Sequence, residues 1–164
     1  MKFSHSHDFA ASVTDVYAMF ADEAFAARRA DASGSTGSDV ALSGSVTDGF
    51  TVSIRRVVPS SSIPQEFRNF VGSDLTVLYT EAWNAPSGED RTGTFAVEIT
   101  GAPGRAAGKL QLSPIADGSH LEIEGDVNVK IPMFGSMIER SLLRTVTESL
   151  DEELAAADQW LAAR

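Results

Sequence analysis

The chain has 164 residues, 43% of them hydrophobic and 22% charged, which predicts a single folded domain over residues 1–164 with a true core. Its net charge of −10 argues against nucleic acid or an anionic membrane surface as a partner. The absence of cysteine excludes disulfides and thiolate metal sites. No stretch has the apolar pattern of a signal peptide or the length of a membrane span, so we expect a cytoplasmic protein without an integral membrane segment.

The N-terminal region predicts one strand followed by two short helices. Residues 2–9 alternate between apolar and polar types, as a half-buried strand does. Ser12 is a predicted helix N-cap, and apolar residues recur at helical spacing after it, with one break, up to Ala32. The Gly/Ser-rich run 31–38 is predicted to be a loop. The apolar face of the first strand carries Phe3, His5, His7 and Phe9.

The middle of the chain predicts an antiparallel meander. Runs of β-branched and aromatic residues are separated by turn residues, with Asp48-Gly49 and Asp117-Gly118 as the two clearest hairpin turns. Short connections between successive strands favour antiparallel pairing. The predicted strands span residues 40–47, 50–58, 75–84, 92–100, 107–113 and 120–131.

The C-terminal region predicts one long helix over residues 134–163, because it is rich in helix formers and has no proline after Pro132. Its apolar residues recur three or four apart and form one stripe. That stripe needs the apolar face of the sheet as its partner, so the fold class is α+β with a curved antiparallel sheet of six or seven strands. The stripe consists of Met137, Ile138, Leu142, Val146, Leu150, Leu154, Ala157 and Leu161.

This order of elements resembles the START/SRPBCC superfamily, the helix-grip fold of birch-pollen-allergen-like proteins and lipid-transfer domains. Five stretches are more specific: IPQEFRNFVG, TEAW, GKLQL, KIPMFGSMIER and DQWL. In these stretches the chain is similar to a bacterial family within the superfamily, called domain of unknown function 2505. The resemblance spans the whole chain. It implies a cavity between sheet and terminal helix, where superfamily members typically hold sterols, lipids, polyketides or aromatic hormones, but it implies no reaction.

His5 and His7 are the most suggestive polar pair, because both imidazoles lie on the apolar face of the first strand, between Phe3 and Phe9. They could ligate a metal, hydrogen-bond a ligand, or be ordinary wall residues. The sequence supplies no third metal ligand at a suitable spacing, so we expect neither a metal nor a cofactor.

Two strands in the middle of the chain carry further candidates. Tyr79, Glu81 and Trp83 share one face, and the pattern leaves open whether that face points inward or to water. Arg56 shares a face with Val52 and Ile54. It could pair with Glu81, or it could receive the acidic head group of a ligand.

Methionines and phenylalanines gather around the start of the terminal helix and in the segment 63–71. We expect this segment to act as an entrance flap, because serines and Gly72 flank it. The residues assigned to the cavity from these two regions are Phe67, Phe70, Met133, Phe134 and Met137.

The function expected from these features is binding or transport of a hydrophobic small molecule, such as a lipid, a polyketide or an aromatic compound. No residue is assigned as catalytic. One alternative is an enzyme of the same fold, a cyclase, dehydratase or hydrolase whose acid or base is His5, His7, Tyr79 or Glu81. Another is a protein-interaction or co-chaperone module, whose interior would be filled.

Overall fold

The computed structural model describes residues 1–31, 37–63, 65–71 and 74–164, without the side chains of Ser62, Glu66 and Phe67. It has the predicted α+β architecture, a curved antiparallel sheet with two short helices and a long C-terminal helix. The middle of the predicted loop 31–38 lies outside the described residues. The helices are α1 (Val13–Phe20), α2 (Glu23–Asp31) and α3 (Gly135–Ala162), and two short 3₁₀ segments span Ser60–Ser62 and Gln65–Phe70.

The described strands form one seven-stranded sheet in the order β1-β7-β6-β5-β4-β3-β2, with every neighbouring pair antiparallel. Strands β2 to β7 form the predicted meander, and β1 joins its far edge beside β7. The strands are β1 (Lys2–Phe9), β2 (Gly37–Ser45), β3 (Gly49–Val58), β4 (Leu75–Trp83), β5 (Arg91–Thr100), β6 (Gly104–Ile115) and β7 (Gly118–Val129).

Strand β6 is longer than predicted, by three residues at its start and two at its end. Its first half is rich in alanine and glycine, which have low β propensity. It is extended because β5 and β7 pair with it on both sides, Ala106 with Val97 and with Val127. Tertiary pairing therefore overrides local preference in this part of the sheet.

A pair of glycines on neighbouring strands makes room for two aromatic rings. Gly108 and Gly125 are register partners. A Cβ atom on Gly125 would lie 2.7 Å from the ring of Phe95 and 2.8 Å from that of Phe3. The two rings pack 6.2 Å apart, centroid to centroid. The glycine that interrupts the apolar pattern of β7 is thus required by close packing.

Helix α3 faces the sheet with the predicted stripe, except for Met137 in its first turn. Leu154 and Ala157 belong to the main core, and Ile138 packs in a smaller cluster with Val127 and Val129. The prediction was wrong for Met137, which is 49% exposed, because Ile138 takes the position that faces these valines. Within the described residues, no helix combines the length and apolarity that a membrane crossing requires.

The main core fills one end of the molecule. Side chains of α1 and α2 pack there with the C-terminal half of α3 against the sheet, and Phe9, Phe25 and Leu112 are almost fully buried. The predicted cap of α1 is present, since the amide of Asp15 donates to Ser12 Oγ at 3.2 Å. The N-terminal half of α3 covers the other end of the sheet, where the packing is less complete.

Truncation of Leu154 to alanine should destabilise the protein by about 2–5 kcal/mol, because this leucine is 2% exposed in the main core. Met137→Ala on the same helix is the matched control and should change stability by no more than about 0.5 kcal/mol. Urea unfolding followed by circular dichroism measures both. Equal losses in the two variants would contradict the packing described for α3.

Candidate functional site

Two adjoining cavities separate the sheet from α3, with volumes of about 220 and 270 Å³. They share Val77 and Ile99 from the sheet, and Leu142 and Thr145 from the helix. The first cavity extends along the helix as far as Glu153, and the second extends back to Ile138. Together they follow the helix axis over about four turns, at 1.5 Å per residue.

The first cavity is apolar along most of its wall and polar at one end. Phe3, Phe95 and Ile123 face it from the sheet, and Leu142 and Leu150 face it from α3. Its polar side chains include Tyr79, Arg56 and Glu153, of which Glu153 is the lining residue nearest the C-terminus of the helix, and the exposed Arg105 of β6. The cavity therefore has an apolar body and an ionic end.

The second cavity lies under the segment that the sequence assigned to an entrance flap. Ile63, Phe70 and Val71 line it, together with Ile131 and Ile138. The ring of Phe70 also packs against that of Phe134, with 5.4 Å between the centroids. The flap itself remains a prediction, because these contacts describe a closed position only.

A buried carboxylate, Glu81, is the centre of a polar cluster behind the first cavity. Its side chain is 2% exposed and accepts three hydrogen bonds. The donors are Arg29 Nη2 at 2.9 Å, the Tyr79 hydroxyl at 2.6 Å and Trp83 Nε1 at 2.5 Å. Burying an ionised carboxylate requires such partners, and here a cation and two neutral donors supply them.

Arg29 joins three elements through this cluster. It belongs to α2 and donates a hydrogen bond to Glu81 on β4. Its Nε lies 2.8 Å from Glu153 Oε1 on α3, but the N–H is not aligned for a hydrogen bond. Burial acts to lower the pKa of the guanidinium, but the carboxylates of Glu153 and Glu81 hold it well above its ordinary value. The pKa of Tyr79 is also raised well above its ordinary value, by burial and by the neighbouring Glu81.

Arg56 has fewer partners than Arg29. Its Nη2 donates to the backbone carbonyl of Arg29 at 2.8 Å, while its Nε is buried with no hydrogen-bond partner. Burial lowers the pKa of Arg56 from its ordinary value. Among the described residues, no carboxylate forms an ion pair with it within 4 Å. Arg56 does not pair with Glu81, because Arg29 occupies that position.

The structure brings some of the predicted site residues together. Phe3, Arg56 and Tyr79 line the first cavity, and Phe70 lines the second. Glu81 and Trp83 point inward on the same face of β4, into the cluster behind the cavity. Of the two phases that the sequence allowed for β4, the inward one is present.

The histidine pair lies elsewhere. His5 Nε2 is 3.3 Å from Asp151, and His7 Nε2 is 3.0 Å from Asp158, both on α3. Neither histidine lines either of the two cavities, because side chains of α3 contact β1 directly at this end, and Phe9 is buried in the main core beside them. Among the described residues, no three histidine, aspartate or glutamate side chains converge as a metal site would require.

The predicted wall at the start of α3 does not face the cavities. Met133 is 97% exposed, Phe134 42% and Met137 49%. Met133 has a φ of 69°, a conformation that turns the chain into the helix and leaves its side chain in solvent. The side chain of Phe67 lies outside the part of the chain that the structure describes.

Sequence reasoning missed Arg29 and Glu153. Arg29 follows Phe25 by four residues and Ala26 by three, so helical spacing places it on the buried face of α2. Glu153 similarly follows Leu150 by three residues on the stripe of α3. A charge at an apolar helical position was therefore the available signal.

The fold defines the class of protein: the chain has a helix-grip fold, which it shares with several solved structures. The crystal structure of TTHA0849 from Thermus thermophilus aligns with 99% of this chain and 98% of its own, with a TM-score of 0.66 and 15% identity. A STAR-related lipid transfer protein from Xanthomonas axonopodis aligns with 98% of this chain and 85% of its own, with a TM-score of 0.61 and 19% identity.

The sequence comparisons narrow this class to one family. The family model described as "Protein of unknown function (DUF2505)" matches residues 4–161. The uncharacterized protein Rv0481c of Mycobacterium tuberculosis is 25% identical over 166 residues, which cover 97% of this chain and 95% of that protein. The chain belongs to the DUF2505 family.

Replacement of Glu81 by glutamine should destabilise the fold by about 3–5 kcal/mol, because it leaves the buried Arg29 without its hydrogen-bonded carboxylate. Glu98→Gln, on the exposed face of the neighbouring strand, is the matched control and should have little effect. Chemical denaturation at neutral pH measures both free energies of unfolding. A loss of less than about 1 kcal/mol for Glu81→Gln would contradict the role given to the cluster.

The two tyrosines should be less ionised at pH 10 in the folded protein than in the unfolded chain. Burial raises the pKa of Tyr17 and of Tyr79 above the ordinary value of 10.0. The folded state then binds these protons more tightly than the unfolded state, so their contribution to stability is present below pH 10 and is lost as the pH rises further. Tyrosinate absorbance at 295 nm measures the ionisation, with the urea-unfolded chain as control. Equal ionisation of folded and unfolded protein at pH 10 would contradict this.

Proposed function

We propose that this protein is a single-domain cytoplasmic binding protein for a hydrophobic small molecule, such as a lipid, a polyketide or an aromatic compound. The observation that carries the proposal is the pair of adjoining cavities between the sheet and α3. Small-molecule sites are typically concave and mostly apolar, with volumes of roughly 300–1,000 Å³. Each cavity is somewhat smaller, but the two share a wall.

The side chains around the cavities favour a ligand-binding protein over a protein-interaction module with a filled interior. Valine, alanine, serine and threonine side chains occupy several positions where leucine or phenylalanine would fill the space, among them Val77, Ala106, Val146 and Ser149. An apolar ligand placed there would gain roughly 25 cal/mol for each Å² of surface removed from water. The Xanthomonas protein with the same fold is named a STAR-related lipid transfer protein, and that name agrees with such a ligand.

The polar groups near the cavity favour binding over catalysis. Tyr79 and Glu81, two of the acid or base candidates, are hydrogen-bonded to each other in the buried cluster. The histidines are engaged with carboxylates on α3, outside both cavities. A general acid or base must reach the reacting atom of a substrate. Of these four groups, only Tyr79 lines a cavity described above, and its hydroxyl donates to Glu81.

We further propose that the ligand enters at the second cavity. This end is covered by the short segment containing Ile63, Phe70 and Val71, and by the exposed start of α3. Both coverings are thin compared with the main core at the opposite end. Displacement of Phe70 from the ring of Phe134 would open the cavity without unfolding the sheet.

A large side chain in the space that the two cavities share should weaken ligand binding. Leu142 lines both cavities from α3, so Leu142→Trp should weaken binding of the neutral dye Nile red by at least about tenfold. Met137→Trp adds the same ring at an exposed position of the same helix and should bind as the parent does. Fluorescence titration measures affinity, and circular dichroism checks folding. No binding by the parent, or equal binding by Leu142→Trp, would contradict the site.

A further inference from the structure

The charges at the ionic end of the first cavity are unevenly paired. Arg29 lies within 2.9 Å of two carboxylates, Glu81 and Glu153. Arg56 has no carboxylate partner within 4 Å among the described residues, and its one hydrogen bond to a described residue goes to a backbone carbonyl. One of these two cations therefore has two anions and the other has none. The first cavity is lined by one further cation, Arg105 of β6, which is exposed to solvent.

Arg56 is placed to meet a ligand. It lines the first cavity, and with Glu153 it also lines a smaller neighbouring space of about 60 Å³. A guanidinium has five N–H donors in a planar fork, which matches the two oxygens of a carboxylate. Buried donors without acceptors are costly, and the Nε of Arg56 is such a donor in this state.

We propose that the ligand is an amphiphilic monocarboxylate, whose carboxylate pairs with Arg56 and whose apolar body lies in the two cavities. This inference rests on the function proposed above and specifies the chemical class of the ligand. In the structure, Glu153 supplies the second negative charge at this end of the cavity, beside Arg29.

Glu153 has to move for the charges to balance after binding. A ligand carboxylate added to the present arrangement would leave one excess negative charge in a partly desolvated space, which is unfavourable. The side chain of Glu153 is 25% exposed on α3, so it can turn to solvent, whereas Glu81 is 2% exposed and held by three donors. Two matched pairs then remain, Arg29 with Glu81 and Arg56 with the ligand.

The test compares an acid with its uncharged ester in the same cavity. Decanoate and methyl decanoate displace Nile red from the parent, and the acid should bind about tenfold or more tightly, as expected for a charge-assisted pair. Arg56→Gln should remove this preference while leaving ester binding unchanged. Arg55→Gln changes the neighbouring residue on the exposed face of β3 and should retain the preference.

Glu153→Gln gives an independent readout, because it removes the competing carboxylate without touching Arg56. This variant should bind decanoate several times more tightly than the parent, with ester binding unchanged, whereas Glu148→Gln, at an exposed position of the same helix, should not. Equal binding of acid and ester by the parent would contradict the proposed carboxylate ligand, but it would leave the cavities as the proposed binding site. Loss of both ligands and of the dye would overturn the proposed function itself. If Arg56→Gln does not fold, the Glu153→Gln variant decides the question by itself, and an unchanged affinity for decanoate would overturn the inference.

Discussion

The buried pair of Arg29 and Glu81 is the contact on which the arrangement of this protein depends. It links α2 to the centre of the sheet, and through Glu153 it reaches α3, so one guanidinium sets the relative positions of three elements. A buried ion pair contributes little net stability compared with apolar packing. Its contribution is specificity of position, since the charges are satisfied in one geometry only. Tyr79 and Trp83 reinforce that geometry from the same strand.

The cavities follow from where this cluster lies. The aromatic and aliphatic side chains of α1, α2 and the end of α3 fill the sheet on one side of the cluster. On the other side, a straight helix spans a curved sheet, and the side chains between them are too small to fill the space. The ionic cluster is thus the boundary between a packed core and an open interior, which gives the cavity its polar end.

Much of the fold was predictable because it depends on local patterns. The alternation in β1, the cap at Ser12, the hairpin turns and the long stripe of α3 each specify an element, and the structure contains them. The site was predictable only in part. The predicted residues that do line the cavities are Phe3, Arg56, Tyr79 and Phe70. The surroundings of His5 and His7 depend on how closely α3 approaches β1, and no local sequence pattern encodes that distance. Helical spacing indicated that Arg29 is buried, but not which residue it contacts, because its partner Glu81 is 52 residues away in the chain.

The glycine pair at positions 108 and 125 has a consequence for how such a protein can diverge. The rings of Phe95 and Phe3 lie directly against Gly125 and form part of the wall of the first cavity. A side chain at Gly108 would collide with the backbone of β7, whereas one at Gly125 would meet only these two rings and push them toward the helix. The volume of the first cavity can therefore be changed by a single methyl group at Gly125, without replacing any residue that lines the cavity.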